Sequence, residues 1–374
     1  MGIALFVLIF FVGSVRSASL FPVKPASVQG HVDGPRSWYA DIATTHGRIA
    51  KDDPVVRPTL FEGDMVGIVE AGDSENDIDA KLSRLSKSGV IAQRSRWYGG
   101  WVFYEMSSTL STTERSKVLT AFKEFEKTDG IRFHPRSGHA DYVLIKKNEP
   151  GCWATVGKAG GVQNVNLGIG CWTHGTIVHE LMHAIGFYHE QSRTDRDSYV
   201  ELNLKNVDPA NHHNFRKYDS SQVTPGGTPY DYDSITHYRK TAFALDTNGW
   251  TIRPKAPHQS RPIGLDLRLS TTDISEINAM YPLCGILYQE DGLKGAHLRL
   301  LKGIQDTNLT TWSDSFSSAR VTKGCTMTIY SLVDFKGKGY SLKAPTTSSE
   351  IYSWWSFVGQ PYDNAVRSVK CLCT

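Results

Sequence analysis

Two histidines four residues apart, His179 and His183, flank Glu180, and His189 follows six residues later. These are the residues best placed to do chemistry. On a helix, His179 and His183 lie one turn apart on one face, so both imidazoles reach one metal ion. Glu180 then sits beside them, where a carboxylate can take a proton from water that the metal acidifies. Gly186 can adopt a left-handed conformation, which ends the helix and turns the chain. That turn lets His189 supply a third nitrogen. Three neutral histidines leave an open zinc position, as a catalytic site requires. H-E-x-x-H alone recurs by chance, and two helix histidines are often core or surface residues. The added Gly and third His at these offsets make the metal reading far more specific.

The surrounding pattern supplies the elements that must hold these residues. Trp101 to Tyr104 is aromatic and β-branched and predicts a strand. Ser111-Thr-Thr-Glu114 is a capping-box pattern that opens a helix. Val118, Leu119, Phe122 and Phe125 recur at helical spacing, and Gly130 stops the run. Residues 131–133 and 142–145 read as strands, and 176–185 as an apolar helix. Residues 151–171 read as loops with a short strand. From there to Tyr281 the chain reads as mostly irregular, with turn signals at Pro225-Gly-Gly227. His212 and His213 fall in a polar stretch and read as solvated surface residues. Residues 20 to about 87 are polar, lack cysteine and predict no compact domain of their own. After Cys284 the texture changes. Tyr288 to Gly295 resembles Tyr330 to Gly337, with Tyr, Lys and Gly in register and Leu300 matching Leu342, so the tail is a small β domain with two similar halves.

The whole chain bounds these readings. Its 374 residues suggest two or three domains. A composition of 40% hydrophobic and 21% charged residues is globular, and a net charge of +3 does not argue for nucleic acid. Met1 to Val12 is an apolar run followed by small residues, which reads as a signal peptide over 1–18. The run is too short to span a bilayer, and no second one is long enough. The mature protein is therefore expected to be soluble and extracellular. Six cysteines, at 152, 171, 284, 325, 371 and 373, suggest disulfides, and no C-x-x-C pair is present.

The run His179 to Asp197 resembles the signature of the astacin family of metzincin zinc proteases, and the resemblance extends from about Trp97 to Cys284. It implies an α+β, two-lobed protease domain with the zinc helix at its cleft, over 88–284. Ser234-Ile-Thr-His-Tyr238 resembles the family's turn beneath the zinc, with Thr236 where the family has Met. It implies that Tyr238 binds zinc at rest and swings away to stabilise an oxyanion. Phe61-Glu-Gly-Asp64 resembles the propeptide motif, so 19–87 would be a propeptide in which Asp64 blocks the zinc. Cleavage by an activating protease would then free an amine near Ser88, to be buried against Glu190. Cys152 and Cys171 match a family disulfide. The family's other disulfide starts just before the Ile131 strand, where this chain has no Cys, so Cys284 is expected to pair within the tail, with Cys371 or Cys373.

The tail, 285–374, resembles an all-β Greek-key βγ-crystallin domain. Asp363 to Ser368 nearly matches that family's calcium signature, and Ser313 to Ser318 is a weaker copy. Arg367 stands where Ser or Thr is expected, and a cation there opposes Ca2+ as a second cofactor. Trp354 and Trp355 fit core or edge packing better than a ligand site. Asn308-Leu-Thr310 is a glycosylation sequon. The expected partners are protein or peptide substrates, with matrix or glycan contact through the tail. One rival reading is a non-catalytic zinc protein, for which only Thr236 argues. Another is a structural or sugar-binding protein centred on the tail. Substrate, cleavage preference and oligomeric state are open.

Overall fold

The computed structural model describes residues 62–66, 96–217, 228–265, 267–306, 309, 316–346, 352–361 and 363–373. The expected signal segment, the cleavage point at Ser88 and the sequon at Asn308 lie outside them.

The protease region is built on a six-stranded sheet. In chain order its strands are β1 (Met65–Val66), β2 (Trp101–Met106), β3 (Arg132–Pro135), β4 (Tyr142–Lys146), β5 (Cys152–Thr155) and β6 (Val162–Leu167). Their order across the sheet is β1-β5-β6-β4-β2-β3. Only β5 and β6 pair antiparallel, and the other neighbours are parallel. Parallel neighbours need a crossover, and α1 (Thr112–Phe125) supplies the one from β2 to β3. The expected capping box opens it: Glu114 N–H donates to Ser111 Oγ at 3.3 Å, and Ser111 N–H donates to Glu114 Oε2 at 2.7 Å. Val118, Phe122 and Phe125 of α1 join one core with Ile177 and Leu181 of α2 (His174–Ala184) and Val143 and Ile145 of β4.

Below α2 the chain is largely irregular, as expected, with one short pair, β7 (Val200–Leu202) and β8 (Ile252–Pro254). One departure is α3 (Thr271–Met280). Its capping box is Ser270 with Asp273, a signal present in the sequence but masked by weak apolar periodicity: Ile277 is its one buried apolar residue. A second departure is His212. It is half-buried, with Nε2 3.1 Å from the Leu204 and Val207 carbonyls.

Cys152 and Cys171 form the expected disulfide. Where the family's second disulfide would start, a Cβ on Gly130 would lie 2.0 Å from Tyr281 O. Asp129 N–H donates to Asn278 Oδ1 at 2.6 Å. Close packing and a hydrogen bond join the segments there. Cys284 pairs with Cys371, and Cys325 with Cys373.

The tail is a sandwich whose first strand begins two residues before the expected boundary. Its strands are β9 (Leu283–Glu290), β10 (Lys294–Leu301), β11 (Gln305–Asp306), β12 (Ser318–Thr322), β13 (Cys325–Tyr330), β14 (Gly339–Lys343), β15 (Tyr352–Ser356) and β16 (Ser368–Cys373). The sheets run β10-β9-β12-β15 and β11-β16-β13-β14. Each half therefore keeps three strands in its own sheet and sends its third strand to the other, a pair of interlocked Greek keys. The repeat read in the sequence corresponds to the hairpins β9–β10 and β13–β14. Gly295 and Gly337 hold φ of 76° and 75°, a conformation that favours glycine. Leu300 and Leu342 are both buried. Ser318 Oγ donates to Glu290 O at 2.6 Å, and Ser368 Oγ to Leu332 O at 2.7 Å, so equivalent serines tie down each hairpin. The last residue of each calcium-like segment is thus a structural clamp.

Candidate metal centre

Thr173 caps α2 by accepting from Thr176 N–H at 3.1 Å. The helix ends as the sequence requires. Gly186 takes φ 111°, its N–H donates to His183 O at 2.8 Å, and Phe187 N–H donates to Met182 O at 3.0 Å. The turn places Phe187 O 2.7 Å from His183 Nδ1 and carries His189 round to face the helix.

All three imidazoles are buried, and each Nδ1 has an oxygen acceptor. His179 Nδ1 lies 2.7 Å from Ile235 O, and His189 Nδ1 lies 2.8 Å from Glu62 Oε2. A carbonyl or carboxylate accepts only, so each ring carries its proton on Nδ1 and presents a lone pair at Nε2. The Nε2 atoms of His179 and His183 are 3.0 Å apart. Those of His179 and His189 each lie 3.2 Å from Asp64 Oδ2. Asp64 Oδ1 is buried, makes no hydrogen bond and lies 3.7 Å from His183 Nε2. Three lone pairs and a carboxylate converging in a buried space repel one another unless a cation lies among them. Ligands around one ion at 2.0–2.1 Å stand about 3.3 Å apart, and three nitrogens with one oxygen suit Zn2+. The residues fit the metal.

Burial pushes His183 well below the ordinary histidine value. The Glu180 side chain is fully buried. Tyr238 stacks edge-on against His189, ring centres 4.6 Å apart, and its hydroxyl donates to Glu62 O at 2.6 Å.

Glu62 is a residue that sequence reasoning missed. It is buried, its Oε1 accepts from Ser192 Oγ at 2.6 Å, and its Oε2 meets His189. The signal was its place in the Phe61–Asp64 motif, but nothing local told which side chain it would meet. Asp273 was missed too. Its two oxygens accept from Ser234 Oγ at 2.8 Å and Ile235 N–H at 3.0 Å, fixing the turn whose carbonyl orients His179. Thr236 is buried in that turn, its hydroxyl 3.1 Å from Ser234 Oγ.

Glu190 is buried. Its Oε1 accepts from Asp231 N–H at 2.7 Å and lies 3.3 Å from Arg193 Nη1. Burial and then Glu276 push its carboxyl well above the ordinary range, and Arg193 only partly offsets this.

A histidine triad of this geometry, on a helix and the turn after it, with an acid beside the first ligand, defines the metal centre of a zinc metallopeptidase fold. Residues 89–282 match the astacin family of peptidases, and the chain belongs to that family. It is similar to zinc metalloproteinase nas-14 of Caenorhabditis elegans, 33% identical over 74% of this chain and 60% of that one. The chain spans between 52% and 62% of the length of the first four curated relatives it matches. Among solved structures it is similar to high choriolytic enzyme 1, a hatching enzyme zinc-protease from Oryzias latipes (36% identity, TM-score 0.47, 53% of this chain and 95% of that one). A βγ-crystallin domain from Clostridium beijerinckii matches at 23% identity and TM-score 0.19, over 24% of this chain and 99% of that one. Among the described residues no helix is long and apolar enough to cross a membrane.

Proposed function

We propose that the chain is the precursor of a secreted zinc endopeptidase of extracellular proteins, held latent by its own residues 62–66. The observation that carries this reading is Asp64 among three converging histidine nitrogens. His179, His183 and His189 would hold the zinc, with Asp64 as the fourth donor in the precursor. Bound zinc supplies polarisation of the scissile carbonyl and acidification of water. Glu180 takes the proton and passes it to the leaving amine. Tyr238, freed from Glu62 O, aims a phenol donor at the developing oxyanion.

β1 pairs with β5, Met65 opposite Ala154 and Val66 opposite Thr155. Without β1 this strand is a free edge, and an extended substrate can pair with it. Glu62 makes the block a double one. It supplies the acceptor that orients His189, and its carbonyl restrains Tyr238. Removing residues 62–66 frees the metal position, the edge and the tyrosine together.

The Glu190 site supports burial of a new N-terminal amine. Glu190, Glu276, Asp231 and Asp273 surround one another, with Arg193 as the cation. A buried site so rich in acid gains from another positive charge. The β sandwich is proposed as a module for matrix or glycan contact. Arg367 continues to oppose a calcium role there.

The test is cleavage of denatured casein by processed enzyme, with Glu180→Ala and a chelated sample beside wild type. Loss in both supports the reading. Full activity in Glu180→Ala sinks it, and an inactive, zinc-loaded wild type turns the function toward the sandwich.

A further inference from the structure

Among the described residues of the sandwich, Arg299 is the one charged side chain that is buried, at 6% exposure. It stands on β10 opposite Ile286 of β9, and Ile286 stands opposite Arg320 of β12. Opposed residues share a sheet face. Both arginines therefore rise from one side, their Cα atoms about 10 Å apart across two strand spacings. His297 and Tyr288, opposed one step along, share this face. The other face carries Leu287, Leu298, Leu300 and Val321, which fill the sandwich core.

The basic face looks at the protease domain. Trp101 of β2 packs against the sandwich, and its ring lies 4.1 Å from that of His134 on β3. Arg132 lies on the same face of β3 as His134. The guanidinium of Arg132 is spent on the Phe125 and Thr128 carbonyls behind α1, so it brings charge to the seam rather than free donors. Just before β3, Asp129 Oδ1 lies 4.0 Å from Arg299 Nη2, and this carboxylate is half exposed. Three guanidiniums and two imidazoles thus meet at a seam where Arg299 touches one acid.

The groups act on one another. Burial, then Arg132 and Arg320, bring Arg299 down to about 10. Burial, then Arg132 and His297, bring His134 down to about 4. Arg299 Nε and His134 Nε2 are buried without a hydrogen-bond partner. Buried like charges repel, and unsatisfied buried donors destabilise. Such violations of local consistency are expected at functional or strained sites.

We propose that this seam binds a compact tetrahedral oxyanion, a sulfate or phosphate group, through Arg299, Arg320, His297 and His134. Donors arriving from both walls suit several acceptor oxygens, and the burial of Arg299 admits one such group rather than a broad polyanion. The bound anion would clamp the sandwich to the protease sheet. The group could arrive free or on a sulfated sugar, and the two sources are separable by experiment.

The test is thermal unfolding of the full precursor at constant ionic strength, titrating inorganic sulfate, inorganic phosphate or a sulfated disaccharide against chloride. The expected result is a saturable rise in Tm of about 3 °C or more. Arg299→Gln should raise Tm in chloride and abolish the rise, while the exposed Lys343→Gln keeps it. His297→Gln should raise the half-saturating concentration at least about tenfold. If Arg299→Gln does not fold, Arg320→Gln carries the same comparison. Saturation at tenfold lower concentration by the disaccharide identifies a sugar sulfate, and equal saturation identifies a free anion. A response that never saturates, or one that survives in the arginine variants, overturns the proposal and leaves a solvated seam.

Discussion

The lower half of the protease domain and the C-terminal sandwich bury different things. Around the metal centre the interior holds His179, Glu180, His183, His189, Glu190, Arg193, Asp231 and Asp273. Among the described residues the sandwich interior is apolar apart from a few serines, two disulfides staple it, and Arg299 is buried on the sheet's outer face against the protease domain. Burying polar groups is unfavourable unless each finds a partner. The protease domain accepts this where chemistry is done and supplies a partner for each: Phe187 O from the next turn for His183, and, from distant segments, Ile235 O for His179 and Glu62 for His189. The sandwich avoids the problem and gains stability from packing and cross-links. In this molecule the places that break the burial rule are the places to look for function, and Arg299, the one buried charge among the described residues of the sandwich, falls under the same rule.

Four experiments break or sharpen that contrast. The largest effect belongs to Glu180→Ala in the processed enzyme, which should lose at least about 10³-fold in kcat with zinc content unchanged, as read by casein cleavage and metal analysis. Next, Cys284→Ser with Cys371→Ser should destabilise the sandwich by about 2–5 kcal/mol in chemical unfolding, leaving peptide cleavage near wild type. A comparable loss of cleavage would mean that the two halves are not separable. Third, Glu62→Gln should weaken zinc retention by the precursor about 10–100-fold in a chelator competition, because His189 loses its charged acceptor. The processed enzyme made from it no longer contains the residue and should hold zinc as wild type does. The smallest effect is Thr236→Met. The longer side chain must enter a turn already closed by Ser234 and Asp273, and thermal unfolding should show a loss of about 1–2 kcal/mol. A gain in stability would instead show that the site has room for the family's Met.

Much of the metal centre was legible because its signal is local. His179, Glu180, His183, Gly186 and His189 lie within eleven residues, and helical periodicity with a left-handed glycine brings them together whatever the rest of the chain does. The capping box at Ser111 and the hairpin repeat at Tyr288 and Tyr330 were readable for the same reason. The helix after Ser270 was missed because its cap was present but its apolar face was too short to mark a period.

Sequence alone therefore determined the donor types, their spacing and the repeated hairpins of the tail, and the family resemblance added the expectation that Cys284 pairs within it. Tertiary structure alone decided what orients His179 and His189. Glu62 stands more than a hundred residues before the histidine it meets, and Asp273 stands beyond the turn it fixes. Which distant carboxylate satisfies a buried imidazole, and which arginines share a seam, depends on how sheets and lobes pack in space. That packing is set by the summed burial of many side chains, which no short stretch of sequence encodes.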